Sequence, residues 1–194
     1  MRNLILASAS KARSQILLNA GVNFRTQVSN VNEAAIKKNF KAGSAGEIAL
    51  KLAVLKATEI SSLNKDAFII GADQVLECDG VFFDKPINHA AASHHLRALR
   101  GKTHRLISSV CVVRNSKMLW DVTDSVNLTM RDLSDDFIQS YLAEAGTDIF
   151  SSVGGYRLED LGAQLFTRVD GDFFTVLGLP LLPLLEFLRG KQML

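Results

Sequence analysis

Only two of the 194 residues are cysteine, Cys78 and Cys111, so no disulfide scaffold is available, and both read as small buried hydrophobes suited to a reducing compartment. An excess of one charge is missing too. Lysine and arginine number 22 against 20 acids, and a formal charge of +2 lacks the basic surplus of nucleic-acid binders, so no nucleic-acid partner is expected. No run approaches the ~20 apolar residues of a membrane span. The most apolar stretch, Leu177 to Leu188, is broken by Pro180, Pro183 and Glu186, and no membrane partner is expected either. Arg2, Leu4-Ile5-Leu6 and Ala7-Ser8-Ala9 imitate a secretory leader only superficially. A leader's apolar core takes about 7 to 15 residues, and here Lys11 and Arg13 follow at once, so a cytoplasmic protein is the expectation. Repeats, low-complexity tracts and long linkers are absent, which leaves one continuous domain over 1–194, with any lobes joined by short connections.

The 47% of apolar residues suffice for a core, since a chain of this length buries roughly 70% of its unfolded surface. Asn3 to Ala7 predicts a buried strand, and Ser10 caps a helix running through Ile16-Leu17-Leu18 to a glycine stop at Gly21. Val22 to Val28 predicts a second strand. Ser44-Ala45-Gly46-Glu47 is a capping box opening a helix with an apolar face of Ile48, Leu52 and Leu55 and a basic face of Lys51 and Lys56. Ala67 to Gly71 predicts a central strand with Asp73 just past its end, and Glu77 to Phe82 a hairpin closing on Asp79-Gly80. Further expectations are a helix from His89 to Arg100, strands Leu106–Val113 and Leu119–Met130 joined near Asn115, and a helix capped by Ser134. Leu165–Val169 and Phe173–Leu177 follow as strands around an Asp170-Gly171-Asp172 turn, before a last helix begun near Pro180. This mixture predicts an α/β fold with a twisted mixed sheet flanked by helices.

Familiar site motifs fail one by one. Gly101-Lys102-Thr103 imitates the end of a phosphate loop, but the glycine required five positions earlier is Leu96. Gly154-Gly155 is followed by Tyr156-Arg157 and reads as a backbone turn, not a dinucleotide loop. His89, His94, His95 and His104 lack the context of a zinc site, and no GxSxG elbow surrounds any serine.

What remains stands at the ends of elements, where sheet proteins place ligand sites. Ser8, Ser10 and Arg13 sit at the first strand-to-helix turn, where helix amides and the dipole favour an anion such as phosphate; a capped surface helix is the plain alternative. Glu33, Asp73 and Glu159 are hard oxygen donors of the kind that hold Mg²⁺ or Mn²⁺ on a polyphosphate. Asp73 follows an apolar strand, where partial burial suits a base for an attacking water, or else a structural role. Lys56 and Lys85 are point charges for phosphate oxygens, or exposed lysines.

Together these residues resemble the Maf family of nucleoside triphosphate pyrophosphatases. The opening Leu6-Ala7-Ser8-Ala9-Ser10 with Arg13 and Leu17-Leu18 is similar to the family signature. Leu52-Ala53 with Lys56-Ala57, Gly71-Ala72-Asp73-Gln74-Val75, Lys85-Pro86, Gly101-Lys102-Thr103-His104, Tyr156 through Glu159 and Gly178-Leu179-Pro180-Leu181 keep its order. The resemblance implies an elongated fold like that of inosine triphosphate pyrophosphatases, with two lobes around a cleft. It implies a divalent cation, Mg or Mn, as cofactor, and cleavage between the α and β phosphates of a nucleoside triphosphate substrate. Asp73 then matches the catalytic base, Ser8, Ser10, Arg13, Lys56 and Lys85 the phosphate-binding positions, and Glu33 with Asp73 the metal ligands. Homodimers are the family habit.

Ala12, Gln74 and Glu159 match the positions that separate the family's branches, and Gln74 with Glu159 resembles the 7-methyl-GTP branch. A carboxylate accepts from guanine N1 and its exocyclic amine and complements a methylated, positively charged ring. Ala12 departs from both branches. Asp84 stands where a glycine is common, Lys11 where a proline is, and Ser151 where an aspartate is. The rival implied function is a nucleotide-binding regulator of cell division that acts without turnover.

Overall fold

The computed structural model describes residues 3–39 and 43–194. Strand β1 (Leu4–Leu6), buried at every residue, runs into helix α1 (Lys11–Asn19), whose N-cap Ser10 accepts from the Arg13 amide. Strand β2 covers only Arg25–Thr26, shorter than the run 22–28 predicts, because its partner β1 is itself three residues long. Helix α2 (Glu33–Asn39) is unforeseen in the sequence; Asn32 caps it by accepting from the Ala35 amide at 3.0 Å.

Helix α3 (Ala45–Leu63) opens on the expected capping box, but its buried face differs from expectation. Leu55 is exposed, whereas Ala49, Leu52, Ala53, Lys56, Ala57 and Ile60 are buried, so Lys56 lies on the core face and not on a basic surface. The cause is close approach. A Cβ at Gly71 would run into the Ala53 carbonyl and lie 2.8 Å from the Ala57 methyl, so glycine and alanines let the helix settle onto the sheet.

Strand β3 (Phe68–Cys78) is the second correction. Asp73 lies inside it and is buried, not past its end, because the apolar run resumes at Val75-Leu76 and the strand passes unbroken into its hairpin with β4 (Val81–Phe83). Asp79 and Gly80 take φ of 52° and 77° at that turn. Helix α4 (His89–Leu99), strands β5 (Thr103–Arg114) and β6 (Lys117–Met130) and helix α5 (Asp135–Ala145) stand where the sequence places them. After short 3₁₀ turns comes β7 (Phe166–Asp170). Residues 173–176 form helix α6 (Phe173–Val176) and not a strand, since Asp172 Oδ2 accepts from the Thr175 amide at 2.8 Å and caps it. Helix α7 (Leu181–Gly190) buries Leu181, Leu184, Leu185 and Leu188.

Among the described residues the sheet is mixed and seven-stranded, in the order β2-β1-β3-β5-β6-β7 with β4 on β3. Strand β1 is parallel to β2 and β3, while β4 and β7 are antiparallel to β3 and β6. The chain forms two compact units. One takes the chain through Gln74, Ile107–Asp124 and Gly178–Leu194; the other takes Val75–Leu106 and Ser125–Leu177. The first unit's core packs Ile5, Ile69 and Val113 against Ala53, Ala57 and Ile60; the second's gathers Leu96, Val126, Leu128, Ile138, Tyr156 and Leu165. Both cysteines are free and buried, and burial pushes the Cys111 thiol up to about 12, so it behaves as a hydrophobe. Among the described residues no helix is long and apolar enough to cross a membrane.

Candidate active site

Register brings the first cluster together. Leu6 pairs with Ile70, and the Ala7 amide donates to the Ile70 carbonyl at 2.8 Å, so the turn leaving β1 emerges beside Gly71-Ala72-Asp73. In that turn Ser8 Oγ accepts from the Ser10 amide at 3.2 Å, and Ser10 Oγ accepts from the Arg13 amide at 3.4 Å. The amides of Lys11 and Ala12 remain at the helix start. Ala12 itself is half-buried there.

Arg13 is buried, and its guanidinium is largely engaged by protein oxygens. Its Nε donates to the Gly178 carbonyl at 2.7 Å, and its Nη1 donates to Ser8 Oγ at 3.2 Å and to the Ala72 carbonyl at 3.0 Å. Burial lowers its pKa, while the negative charges of Asp73 and Glu33 pull it back up. Gly178, at φ 91°, is required for the fit: a Cβ there would lie 3.2 Å from Arg13 Nη2.

Lys56 arrives from α3 with its ammonium between two carboxylates. It donates to Asp73 Oδ1 at 2.6 Å and lies 2.7 Å from Glu33 Oε1. The Lys56 and Asp73 side chains are 9% and 7% exposed, against 46% for Glu33, so the first pair is dry and the second half-wet. Asp73 Oδ2 is buried with no hydrogen-bond partner. An unpartnered carboxylate oxygen in a buried site is costly unless a water, a cation or a substrate meets it. Gln74 Nε2 donates to the buried Ser108 Oγ at 3.0 Å, which fixes its amide.

Lys85 and Glu159 belong to the second unit. Lys85 is exposed between β4 and α4, where the Asp84 carbonyl accepts from the Gly154 amide at 3.4 Å. Asp84 has no left-handed backbone, so it stands in place of a glycine without strain. Glu159 Oε1 accepts from Arg157 Nε at 3.1 Å. His104 Nε2 lies 2.7 Å from the Tyr156 hydroxyl, and burial lowers its pKa to about 4.

Of the residues that build these clusters, Ser108 stands in no sequence signal, while Gly71, Arg157 and Gly178 lie in the quoted blocks without a role of their own. Gly71 had a signal, an isolated glycine in an apolar run with alanines four apart on the helix before it. Ser108 had none, since it acts on Gln74, which is identified only through resemblance, and Arg157 had only its place in the block Tyr156 through Glu159.

The family model described as "Maf-like protein" matches residues 3–191. A protein of Nitrobacter winogradskyi named nucleoside triphosphate pyrophosphatase is 49% identical over 98% of this chain and 95% of its own. One of Rhizobium meliloti named 7-methyl-GTP pyrophosphatase is 43% identical over 96% of this chain and 94% of its own. Among solved structures, a HAM1 protein from Coxiella burnetii superposes with a TM-score of 0.42 at 14% identity, over 69% of this chain and 75% of that one, a likeness too loose to carry an argument. With a family model spanning the chain almost end to end and full-length relatives near half identity, the chain belongs to the Maf family.

Proposed function

We propose that this chain hydrolyses the α–β phosphoanhydride of nucleoside triphosphates, consuming one water and releasing a monophosphate and pyrophosphate. The observation that carries the proposal is the buried Asp73 carboxylate, held through Oδ1 by Lys56 and left with Oδ2 bare. That oxygen accepts the proton as water attacks the α phosphorus, and the Lys56 contact fixes its aim and offsets its charge. In the first unit the amides of the α1 start, the Ser8 and Ser10 hydroxyls, Arg13 and the third ammonium hydrogen of Lys56 are the donors for phosphate oxygens, and Lys85 of the second unit matches a further phosphate-binding position by resemblance.

The donor set suits a divalent cation. Glu33 offers a half-exposed carboxylate and Asp73 a buried one, and Mg²⁺ commonly takes one or two carboxylates with substrate phosphates supplying the rest. Among the described residues no group of three or more potential ligands stands together, so the phosphates are needed to complete the site. When bound, the cation neutralises charge on the phosphate oxygens as a Lewis acid. Glu159 and Gln74 favour a guanine base, methylated at N7 in the preferred substrate. We place the reaction in the cytoplasm and take a homodimer as the working assembly.

Phosphorus NMR with Mg²⁺ or Mn²⁺ and a panel of 7-methyl-GTP, GTP, UTP, dTTP and ITP tests this. Pyrophosphate and monophosphate, fastest from 7-methyl-GTP and lost in Asp73→Asn, are expected. Orthophosphate as first product would overturn the α–β cleavage site, and binding without turnover would instead support the regulator.

A further inference from the structure

Arg157 lies among three carboxylates of its own unit. Its Nε donates to Glu159 Oε1 at 3.1 Å, and its Nη1 lies 3.0 Å from Asp160 Oδ2 and 3.7 Å from Asp148 Oδ2. The Arg157 and Glu159 side chains are 30% and 25% exposed, while Asp160 and Asp148 reach well into solvent at 52% and 81%. The backbone beneath is tightly turned: the Asp160 amide donates to the Arg157 carbonyl at 3.2 Å, and a Cβ at Gly162 would collide with the Arg157 backbone. The guanidinium thus springs from a rigid turn and reaches a carboxylate two residues on.

We propose that Arg157 is a positioning residue for base recognition, fixing the Glu159 carboxylate by its Oε1 so that the remaining lone pairs face the donor edge of a guanine. This rests on the reading of Glu159 given above. A glutamate loses considerable rotamer freedom when it is ordered, and a directed bond from a planar fork removes that cost before the nucleotide arrives. Asp148 and Asp160 leave the cluster with more negative than positive charge, so Arg157 orients Glu159 without cancelling it.

The test is steady-state kinetics with GTP, 7-methyl-GTP and UTP on the parent, Arg157→Gln, Arg157→Lys, Glu159→Gln and the double variant Arg157→Gln/Glu159→Gln. Arg157→Gln is expected to lower the GTP-to-UTP ratio of kcat/KM about tenfold, through KM for GTP. Arg157→Lys recovers part of the loss, because an ammonium keeps the charge without the fork. The double variant falls no further than Glu159→Gln alone. Full selectivity in Arg157→Gln, complete rescue by Lys, or additive losses in the double variant would overturn the positioning role. Should Arg157→Gln fail to fold, Arg157→Lys alone and combined with Glu159→Gln carries the same comparison. If Glu159→Gln itself leaves the base ratio untouched, the reading of Glu159 fails and this inference with it. If Glu159→Gln changes the ratio and neither Arg157 variant does, only the inference fails.

Discussion

Replacing Lys56 by methionine isolates the electrostatics of the site. Methionine follows much of the lysine stem, so the packing on α3 is roughly kept and the change is chiefly loss of the ammonium. Asp73 Oδ1 then loses its 2.6 Å partner while Oδ2 already has none, leaving a carboxylate only 7% exposed with both oxygens bare. Removing one member of a buried pair costs about 3–5 kcal/mol. The lower end applies here, because the positive charge of Arg13 still acts on Asp73 and the half-exposed Glu33 turns to water at little cost. A loss of about 3 kcal/mol is a large share of a domain's stability. With an m-value of about 1–3 kcal/mol per molar, the urea midpoint falls by roughly 1–3 M at unchanged slope. One further result identifies the cause. Adding Asp73→Asn removes the charge and restores part of the lost stability. A deficit below about 1 kcal/mol, or one indifferent to Asp73→Asn, would refute the buried pair.

Gly71→Ala drives a methyl into the Ala53 carbonyl; a loss of about 2–3 kcal/mol in urea melts and slower turnover are expected, since Lys56 is lifted with its helix. The pH dependence of stability has a definite sign at His104. Its native pKa of about 4 lies below the ordinary 6.5, so the stability it contributes is complete above 6.5 and is lost as pH falls toward 4. The full loss is about 3 kcal/mol, visible in urea melts across that window and in the imidazole proton shifts. Asp84→Gly removes a negative charge beside Lys85 without relieving any backbone strain, so kcat/KM rises a few-fold; no gain would count against a role for Asp84.

Much of this architecture is legible residue by residue. Ser10, Ser44 and Ser134 each announce a helix start because a serine cap is a local bond, and Asp79-Gly80 announces its turn because few residues accept positive φ. Misreadings arise where a tertiary neighbour decides. Lys56 lies one turn after Leu52 on the same stripe, yet its charge suggests a surface; only the carboxylate waiting on β3 makes burial tolerable. Asp73 looks like a strand's end because a charge inside a central strand is expensive, and that expense is the mark of the site. Phe173 to Leu177 reads as strand by its apolar run, but the Asp172 cap outweighs the pattern. Of the site, Ser8, Ser10, Arg13, Lys56 and Asp73 were recognisable by resemblance, whereas the bonds that orient Arg13, Gln74 and Glu159 depend on partners that spacing does not reveal.

The bond from Arg13 to the Gly178 carbonyl also has a meaning in time. Two of the guanidinium's acceptors, Ser8 and the Ala72 carbonyl, exist early in translation, but the third lies 165 residues downstream of the arginine. At about 5–20 residues per second, a ribosome takes roughly 8–33 s to supply it. Until then a buried cation lacks one acceptor and the first strand-to-helix turn lacks its final brace. The nascent chain therefore holds Asp73 and Lys56 for many seconds before it holds a finished pocket, and a nucleotide hydrolase born in a pool of nucleotides stays idle until its last helix is made.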